Sequence, residues 1–138
     1  MPNPNRYTRV VSQTFLDDLK RIRDNKLVDP KDWGLFREQL RQEWEDLDEK
    51  WEKISRQTTY PPLSTHDYRK RYMHSIPANL KQRRKWENNS SDFRIIFKVR
   101  EAEKEIFYLG IGKRIKVLPK DPDDIWAILK DRPLPEEE

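Results

Sequence analysis

The sequence contains no cysteine, only two histidines and only three glycines, and these scarcities narrow what the protein can be. Without cysteine there can be no disulfide, no thiolate metal site and no cysteine nucleophile. Two histidines without cysteine do not make a zinc site, so we expect no metal or other cofactor. No apolar run reaches the roughly 18 residues of a membrane helix, and the opening MPNPNRYTR does not resemble a secretory signal. We therefore predict a cytoplasmic protein with no membrane partner.

Hydrophobic residues are also scarce: they make up 34% of the 138 residues, and the mean hydropathy is -1.13. A chain of this length is about one domain, so its core must be thin. Five tryptophans, five tyrosines and five phenylalanines partly compensate, because each aromatic side chain buries a large apolar area. We predict a single domain over residues 1–138, with disordered ends at 1–6 and 133–138.

The N-terminal part predicts a strand followed by a short helix. Residues 7–11 are mostly β-branched or aromatic, which is typical of a strand. Ser12 or Thr14 suits the N-cap of a helix that ends near Asn25. The apolar residues of this helix recur with amphipathic spacing: Phe15, Leu19 and Ile22.

A second, longer helix is the clearest element in the sequence. Asp29 is a good N-cap and Pro30 fits the first helical position, which predicts a helix over 30–55, roughly 39 Å long. Its apolar residues recur every three or four positions: Trp33, Phe36, Leu40, Trp44, Leu47, Trp51 and Ile54. Three tryptophans in this stripe favour packing within the domain over a coiled-coil dimer.

The rest of the chain predicts a central insertion and a C-terminal hairpin. Residues 58–79 break the helical pattern and contain a short predicted helix at 67–73. Alternating apolar residues predict antiparallel strands at 93–99 and 106–111, and a short closing helix is predicted over 121–130. The predicted fold class is therefore α+β, with N-terminal helices, one of them long, packed on a small antiparallel sheet.

Charge distribution is the most informative feature of the sequence. The net charge is only +4, but one stretch contains seven cations and no Asp or Glu: Arg69, Lys70, Arg71, Lys81, Arg83, Arg84 and Lys85. The long helix is rich in acidic residues, so the protein has a distinct positive side. Cations can bind the phosphates of a nucleic acid, and aromatic side chains can stack on its unpaired bases. The aromatic residues in and beside this stretch are Tyr68, Tyr72 and Trp86. We interpret the stretch as a nucleic-acid-binding face and expect its ligand to be RNA; a solvated run of charge is the alternative.

The hairpin carries further cations. If the apolar residues of its first strand face the long helix, Arg94 and Lys98 must face the other way. Three more cations follow the second strand: Lys113, Arg114 and Lys116. Gly110 and Gly112 lie just before them and are predicted to mark a bend or a close backbone approach.

Two segments of the hairpin carry a family resemblance. DFRIIFKV at 92–99 and YLGIGKR at 108–114 resemble the RelE/ParE superfamily of type II toxins, and the match extends over residues 80–118. The resemblance implies a first strand, two helices and then an antiparallel sheet. It also implies a cognate antitoxin whose acidic or amphipathic segment covers the basic face.

In the RNase branch of this superfamily, basic residues cleave mRNA inside the ribosome without a metal. The resemblance places Arg94 on the strand arginine that holds phosphate and Arg114 on the arginine that stabilises the transition state. Lys85 falls near the upstream lysines of that site. Fixed guanidinium groups can stabilise the negative charge that builds when a 2′-hydroxyl attacks the adjacent phosphate.

The sequence departs from this family pattern in two ways. The RNases place a Tyr or His after the Gly-x-Arg motif as the acid–base residue, and residues 115–130 contain neither. Four residues of the central insertion are candidate substitutes: His66, Tyr68, Tyr72 and His74. The insertion and the long helix also exceed the compact length of the family.

Four hypotheses follow from the sequence. The first is a toxin-like mRNA endoribonuclease, and the second is a catalytically silent nucleic-acid-binding module on the same fold. The third is a toxin of the gyrase-targeting ParE branch, and the fourth is an interaction protein that works through its tryptophan-rich helix. RNA cleavage that depends on Arg114 separates the first from the others, and an oligomer disrupted by Trp51→Ala would support the fourth.

Overall fold

The computed structural model describes residues 6–58 and 63–114, which form one five-stranded sheet with helices. In chain order the elements are β1 (Thr8–Val11), α1 (Gln13–Asp24), a 3-10 turn (Pro30–Asp32), α2 (Trp33–Ile54), β2 (Arg56–Gln57), β3 (Arg69–Met73), α3 (Ala78–Arg83), β4 (Phe93–Arg100) and β5 (Glu105–Lys113). The strand order is β1-β5-β4-β3-β2, with β1 parallel to β5 and the other neighbours antiparallel.

This architecture confirms the predicted α+β class and has the element order that the RelE/ParE resemblance implies: a first strand, two helices, then antiparallel strands. The predicted closing helix over 121–130 and the predicted disordered end at 133–138 lie outside the described residues. None of the helices in the described ranges is long and apolar enough to cross a membrane.

Helix α1 follows β1 directly because Ser12 caps it. The Ser12 hydroxyl accepts the backbone N–H of Phe15 at 3.1 Å and donates to the carbonyl of Tyr108 at 2.8 Å. One side chain therefore begins the helix and attaches it to β5. Farther along, the Asp18 carboxylate accepts the N–H of Ile111 at 3.1 Å, on a part of β5 that β1 does not pair with. The predicted cap and extent of this helix are confirmed.

The apolar stripe of α2 packs within the domain, as predicted. Its buried or partly buried members share one core: Trp33, Phe36, Leu40, Trp44, Leu47, Trp51 and Ile54. The sheet contributes alternate residues to the same core: Phe93, Ile95, Phe97, Ile106, Tyr108 and Ile111. We call this side of the sheet the helix face, and the opposite side the second face.

A buried carboxylate ties α2 to two strands. Asp48 of α2 accepts hydrogen bonds from the Tyr108 hydroxyl and from Arg9 Nε, each at 2.9 Å. Burial raises the pKa of Asp48, and the charge of Arg9 offsets part of this effect. Arg6, which the sequence places in a disordered arm, lies 3.8 Å from the same carboxylate. The cluster thus fixes β1 and β5 against the long helix.

Strand β3 is the main difference from the sequence prediction. The predicted helix at 67–73 is wrong, because Arg69–Met73 form a strand that pairs with β4 from one end to the other. Pairing satisfies the backbone groups of the segment and places Met73 in the core, whereas an isolated helix of this length is unstable. The segment predicted as an insertion therefore supplies a strand of the sheet, between β4 and β2. The short helix α3 was not predicted.

An irregularity between β4 and β5 decides which side chains share a face. The pairing shifts between Ile96 and Phe97 of β4, which leaves Leu109 as an extra residue on β5. Strand side chains alternate, so one extra residue exchanges the two faces for everything beyond it. Ile111 consequently returns to the helix-face core, and Arg114 lies on the second face.

We expect Ser12→Ala to lower the free energy of unfolding by about 1–2 kcal/mol, because it removes the N-cap of α1 together with a bond to β5. Urea denaturation followed by circular dichroism measures this change. Gln13→Ala, at the adjacent exposed position, is the matched control and should leave stability almost unchanged. Equal stability of the two variants would contradict the proposed anchoring role.

Candidate nucleic-acid interface

Alternation along β3 sends two of its cations to the helix face. Arg69 donates to the hydroxyl and carbonyl oxygens of Ser55 at 2.8 and 2.9 Å. Arg71 donates to the Glu43 carboxylate at 2.7 Å. These guanidinium groups attach β3 to α2, which argues against the predicted role of Arg69 and Arg71 in nucleic-acid binding.

The other polar residues of β3 lie on the second face, where three cations surround Tyr72. The strand register places Tyr72 opposite Arg94, and Arg94 opposite Gly112. The Tyr72 ring centroid lies 4.0 Å from Arg114 Cζ, 5.1 Å from Arg94 Cζ and 5.6 Å from Lys70 Nζ. We call these four side chains the Tyr72 cluster: Lys70, Tyr72, Arg94 and Arg114.

The surrounding cations change the acidity of Tyr72. Burial by itself raises the pKa of the Tyr72 hydroxyl, but a hydrogen bond from Lys70 and the charges of Arg94, Lys70 and Arg114 outweigh it, and the pKa lies below its ordinary value of 10.0. Positive neighbours stabilise the phenolate relative to the phenol. As phenolate, a tyrosine beside two guanidinium groups can accept a proton next to a bound phosphate, and the lowered pKa makes the phenolate easier to form.

Members of the cluster differ in how accessible they are. Arg94 is only 8% exposed, whereas Tyr72 and Arg114 are half-buried. A ligand would therefore reach Tyr72 and Arg114 first, with Arg94 behind them. Farther along the second face, Lys98 Nζ lies 5.8 Å from the ring centroid of Tyr68, so this cation continues the positive surface beyond the cluster.

The remaining acid–base candidates lie elsewhere. Tyr68 is fully buried, and His66 lies in a turn that precedes β3. Burial and the nearby Lys81 ammonium lower the pKa of His74, whose Nδ1 lies 3.0 Å from that ammonium. Of the four candidates, Tyr72 is therefore the one that contacts both arginines. Within residues 6–58 and 63–114, no group of three or more His, Asp or Glu residues could hold a metal ion.

Lys81 is fully buried, which contradicts its predicted position on a nucleic-acid-binding face. Its ammonium donates to the Asp92 carboxylate at 2.8 Å and to the Ser90 carbonyl at 3.0 Å. A buried cation is tolerated only where such partners compensate for the lost hydration. Lys81 is consequently part of the protein interior.

Asp92 connects this buried cation to the site, and the sequence analysis did not single it out. Its carboxylate also accepts the N–H of Ser75 at 2.8 Å, and its own N–H donates to the Met73 carbonyl at 3.2 Å. Its carbonyl accepts the N–H of Arg114 at 2.9 Å. Asp92 thereby joins the ends of β3 and β5. The only sequence signal for this role was the position of an acidic residue directly before a strand with several cations.

The other predicted cations have varied positions. Lys85 lies in the left-handed region with φ 57° and ends α3, with its N–H bonded to Gln82 and the N–H of Trp86 bonded to Lys81. It is exposed, and it does not belong to the strands that carry Arg94 and Arg114. The rest are as follows: Arg83 is exposed, Arg84 pairs with Asp32 at 2.8 Å, Lys113 lines a groove beside the sheet, and Lys116 lies outside the described residues.

Solved structures are similar to this chain, although no family model and no curated protein matches it. A chain of the toxin–antitoxin complex RelBE2 from Mycobacterium tuberculosis has a TM-score of 0.48 and 11% identity, covering 79% of this chain and 99% of that one. The conserved hypothetical protein HP0892 from Helicobacter pylori has a TM-score of 0.36 and 19% identity, covering 77% and 92% respectively. These are similarities of chain path, and the function proposed below rests on the site.

We expect Lys81→Met to lower the free energy of unfolding by about 1–3 kcal/mol, because it removes charged hydrogen bonds to Asp92 and Ser90, although Asp92 is partly exposed and keeps its bond from Ser75. Arg83→Met, an exposed cation on the same helix, is the matched control and should change stability little. Chemical denaturation of both variants measures the difference. A Lys81 variant as stable as the Arg83 variant would show that Lys81 is not a structural residue.

Proposed function

We propose that the protein is a toxin-like endoribonuclease that cleaves mRNA at the Tyr72 cluster. The contact of Tyr72 with both Arg94 and Arg114 carries the proposal. The contact places an ionisable side chain beside the two arginines that, by the RelE/ParE resemblance, would bind the scissile phosphate. It also supplies an acid–base residue for a chain that has no Tyr or His over 115–130.

The chemistry is a transesterification within the RNA strand. Tyr72, as phenolate, takes the proton of a ribose 2′-hydroxyl, and the 2′-oxygen bonds to the adjacent phosphorus. The bond from phosphorus to the 5′-oxygen breaks, that oxygen takes a proton from solvent, and a 2′,3′-cyclic phosphate remains. Arg114 and Arg94 stabilise the extra negative charge of the transition state. A general base of this kind contributes about 10²–10⁴ in rate.

The proposed partners follow from the same surface. The substrate is mRNA, either free or bound on the ribosome. A cognate antitoxin places an acidic or amphipathic segment over the second face, where Lys98 extends the positive charge of the cluster. Such a segment would cover Tyr72 and Arg114 and thereby block access of RNA.

A catalytically silent nucleic-acid-binding module is the second candidate. The burial of Arg94 favours it, because an arginine that is 8% exposed has little freedom to follow a reacting phosphate. On this alternative the cluster holds RNA through Arg114 and Lys70, with Tyr72 as a stacking surface.

Expression of the protein in a bacterial host tests the function directly. We expect induced wild type to arrest growth and to produce new cuts in translated messages, mapped by primer extension. Arg94→Ala/Arg114→Ala should abolish both effects. Tyr72→Phe keeps the ring and removes only the hydroxyl, so we expect it to reduce cleavage by about 10²-fold or more.

Lys20→Ala, on the exposed surface of α1, serves as the neutral control. Circular dichroism confirms that each variant is folded. Intact mRNA and normal growth with folded wild type would contradict the ribonuclease proposal in that host. Salt-sensitive RNA binding without cleavage would then support the silent module.

The purified protein should show a pH dependence set by Tyr72. The phenolate is the reactive form, so the cleavage rate rises with pH and reaches half its maximum below pH 10.0. Lys70→Met removes a charge that favours the phenolate, so the rise should move to higher pH. Single-turnover cleavage of a labelled RNA across a pH series measures both curves.

Tyr72→Phe, run in parallel, corrects for spontaneous alkaline cleavage of the RNA. An identical pH profile for Lys70→Met and wild type would exclude Tyr72 as the titrating base.

A further inference from the structure

A groove of about 490 Å³ lies beside the Tyr72 cluster and shares one residue with it. Its walls come from the segment before α2, from the connections on either side of α3, and from the end of β5: Val28, Ser75, Trp86, Asn88, Lys113 and Arg114. Arg114 lines the groove and also lies 4.0 Å from the Tyr72 ring centroid. A strand that reaches the cluster therefore passes the mouth of the groove.

Trp86 forms a fixed aromatic wall of this groove. It is 37% exposed, which is unusual for a tryptophan. The buried ammonium of Lys81 lies 5.5 Å from its ring centroid, and its backbone N–H donates to the Lys81 carbonyl at 3.0 Å. The ring is thus held before any ligand binds, so a stacking partner pays little ordering entropy.

Charges at the groove suit a nucleotide. Lys113 pairs with Phe93 on the helix face, while the next residue, Arg114, reaches the second face. Both cations nevertheless line the groove at the end of β5, so they can contact successive phosphates of one strand. The lining carboxylates are compensated: Arg84 pairs with Asp32, Lys81 with Asp92, and Lys31 with Asp29.

We infer that this groove is a nucleobase subsite, in which one unpaired base of the bound RNA strand stacks on Trp86 while Lys113 and Arg114 hold its backbone. The inference rests on the proposed function for the identity of the ligand and extends it to substrate selection. Only a base outside a duplex can enter, so the site selects single-stranded RNA over double-stranded RNA. Stacking on an aromatic ring accepts every base, so the subsite by itself reads strandedness rather than sequence.

Binding of an uncleavable RNA tests the inference without relying on catalysis. The probe is a fluorescent single strand of about eight nucleotides with 2′-O-methyl groups, which lacks the attacking hydroxyl. We expect Trp86→Ala to weaken its binding about 10-fold, Trp86→Phe to retain most of the affinity, and a duplex of the same sequence to bind poorly to all three proteins. We then remove one base at a time from the probe. At one position, removing the base should weaken binding to wild type as much as Trp86→Ala weakens binding of the intact probe, and removing that base should not weaken binding to Trp86→Ala any further.

Each outcome separates the inference from the proposed function. Equal binding of every probe by wild type and Trp86→Ala would overturn the subsite. So would an affinity difference between the two proteins that remains the same whichever base is removed. If Tyr72→Phe still reduces cleavage and Arg94→Ala/Arg114→Ala still abolishes it in that case, the endoribonuclease proposal stands alone. If the abasic series identifies the stacked base but no RNA is ever cleaved, the subsite stands and the endoribonuclease proposal fails.

Discussion

The ion pair between Lys81 and Asp92 stabilises the end of the sheet at which Asp92 joins β3 and β5. The Tyr72 cluster and the groove beside it both depend on this end of the sheet. A fully buried ammonium needs a counter-charge, and the Asp92 carboxylate provides it at 2.8 Å. The same aspartate, directly before β4, accepts the N–H of Ser75 after β3, donates to the Met73 carbonyl at the end of β3 and accepts the N–H of Arg114. On its other side, Lys81 lies against the ring of Trp86. One buried charge therefore positions an arginine of the Tyr72 cluster and the aromatic wall of the groove.

The two-sided sheet then determines which cations are accessible. On β3, odd-numbered arginines attach to α2, while Lys70 and Tyr72 lie on the second face. On β5, the extra residue at Leu109 returns Ile111 to the core and turns Arg114 toward Tyr72. Without that bulge, strict alternation would send Arg114 to the helix face. A small irregularity in pairing thus brings three strands to a common site.

The basic stretch from Arg69 to Lys85 shows why charge in a sequence is an ambiguous signal. Its members look alike, yet Arg71 bonds to Glu43, Lys81 bonds to Asp92 and Lys85 ends a helix. Each of the two carboxylates lies at least eleven residues away in the chain. The sequence predicted a positive side, but only long-range pairing separates a cation that stabilises the fold from one that can meet a phosphate.

By itself the sequence determined the elements whose signals are local. Ser12 caps α1, the α2 stripe has helical spacing, and alternating residues define the hairpin, so these features depend on neighbours within a few turns. Asp29, predicted to cap the long helix, caps the 3-10 turn at Pro30–Asp32 instead, and α2 begins at Trp33. Strand β3 and the meeting of Tyr72 with Arg94 and Arg114 were decided only by the tertiary structure. The physical reason is that a strand exists through its partner, and the face each residue occupies depends on a register set by distant segments.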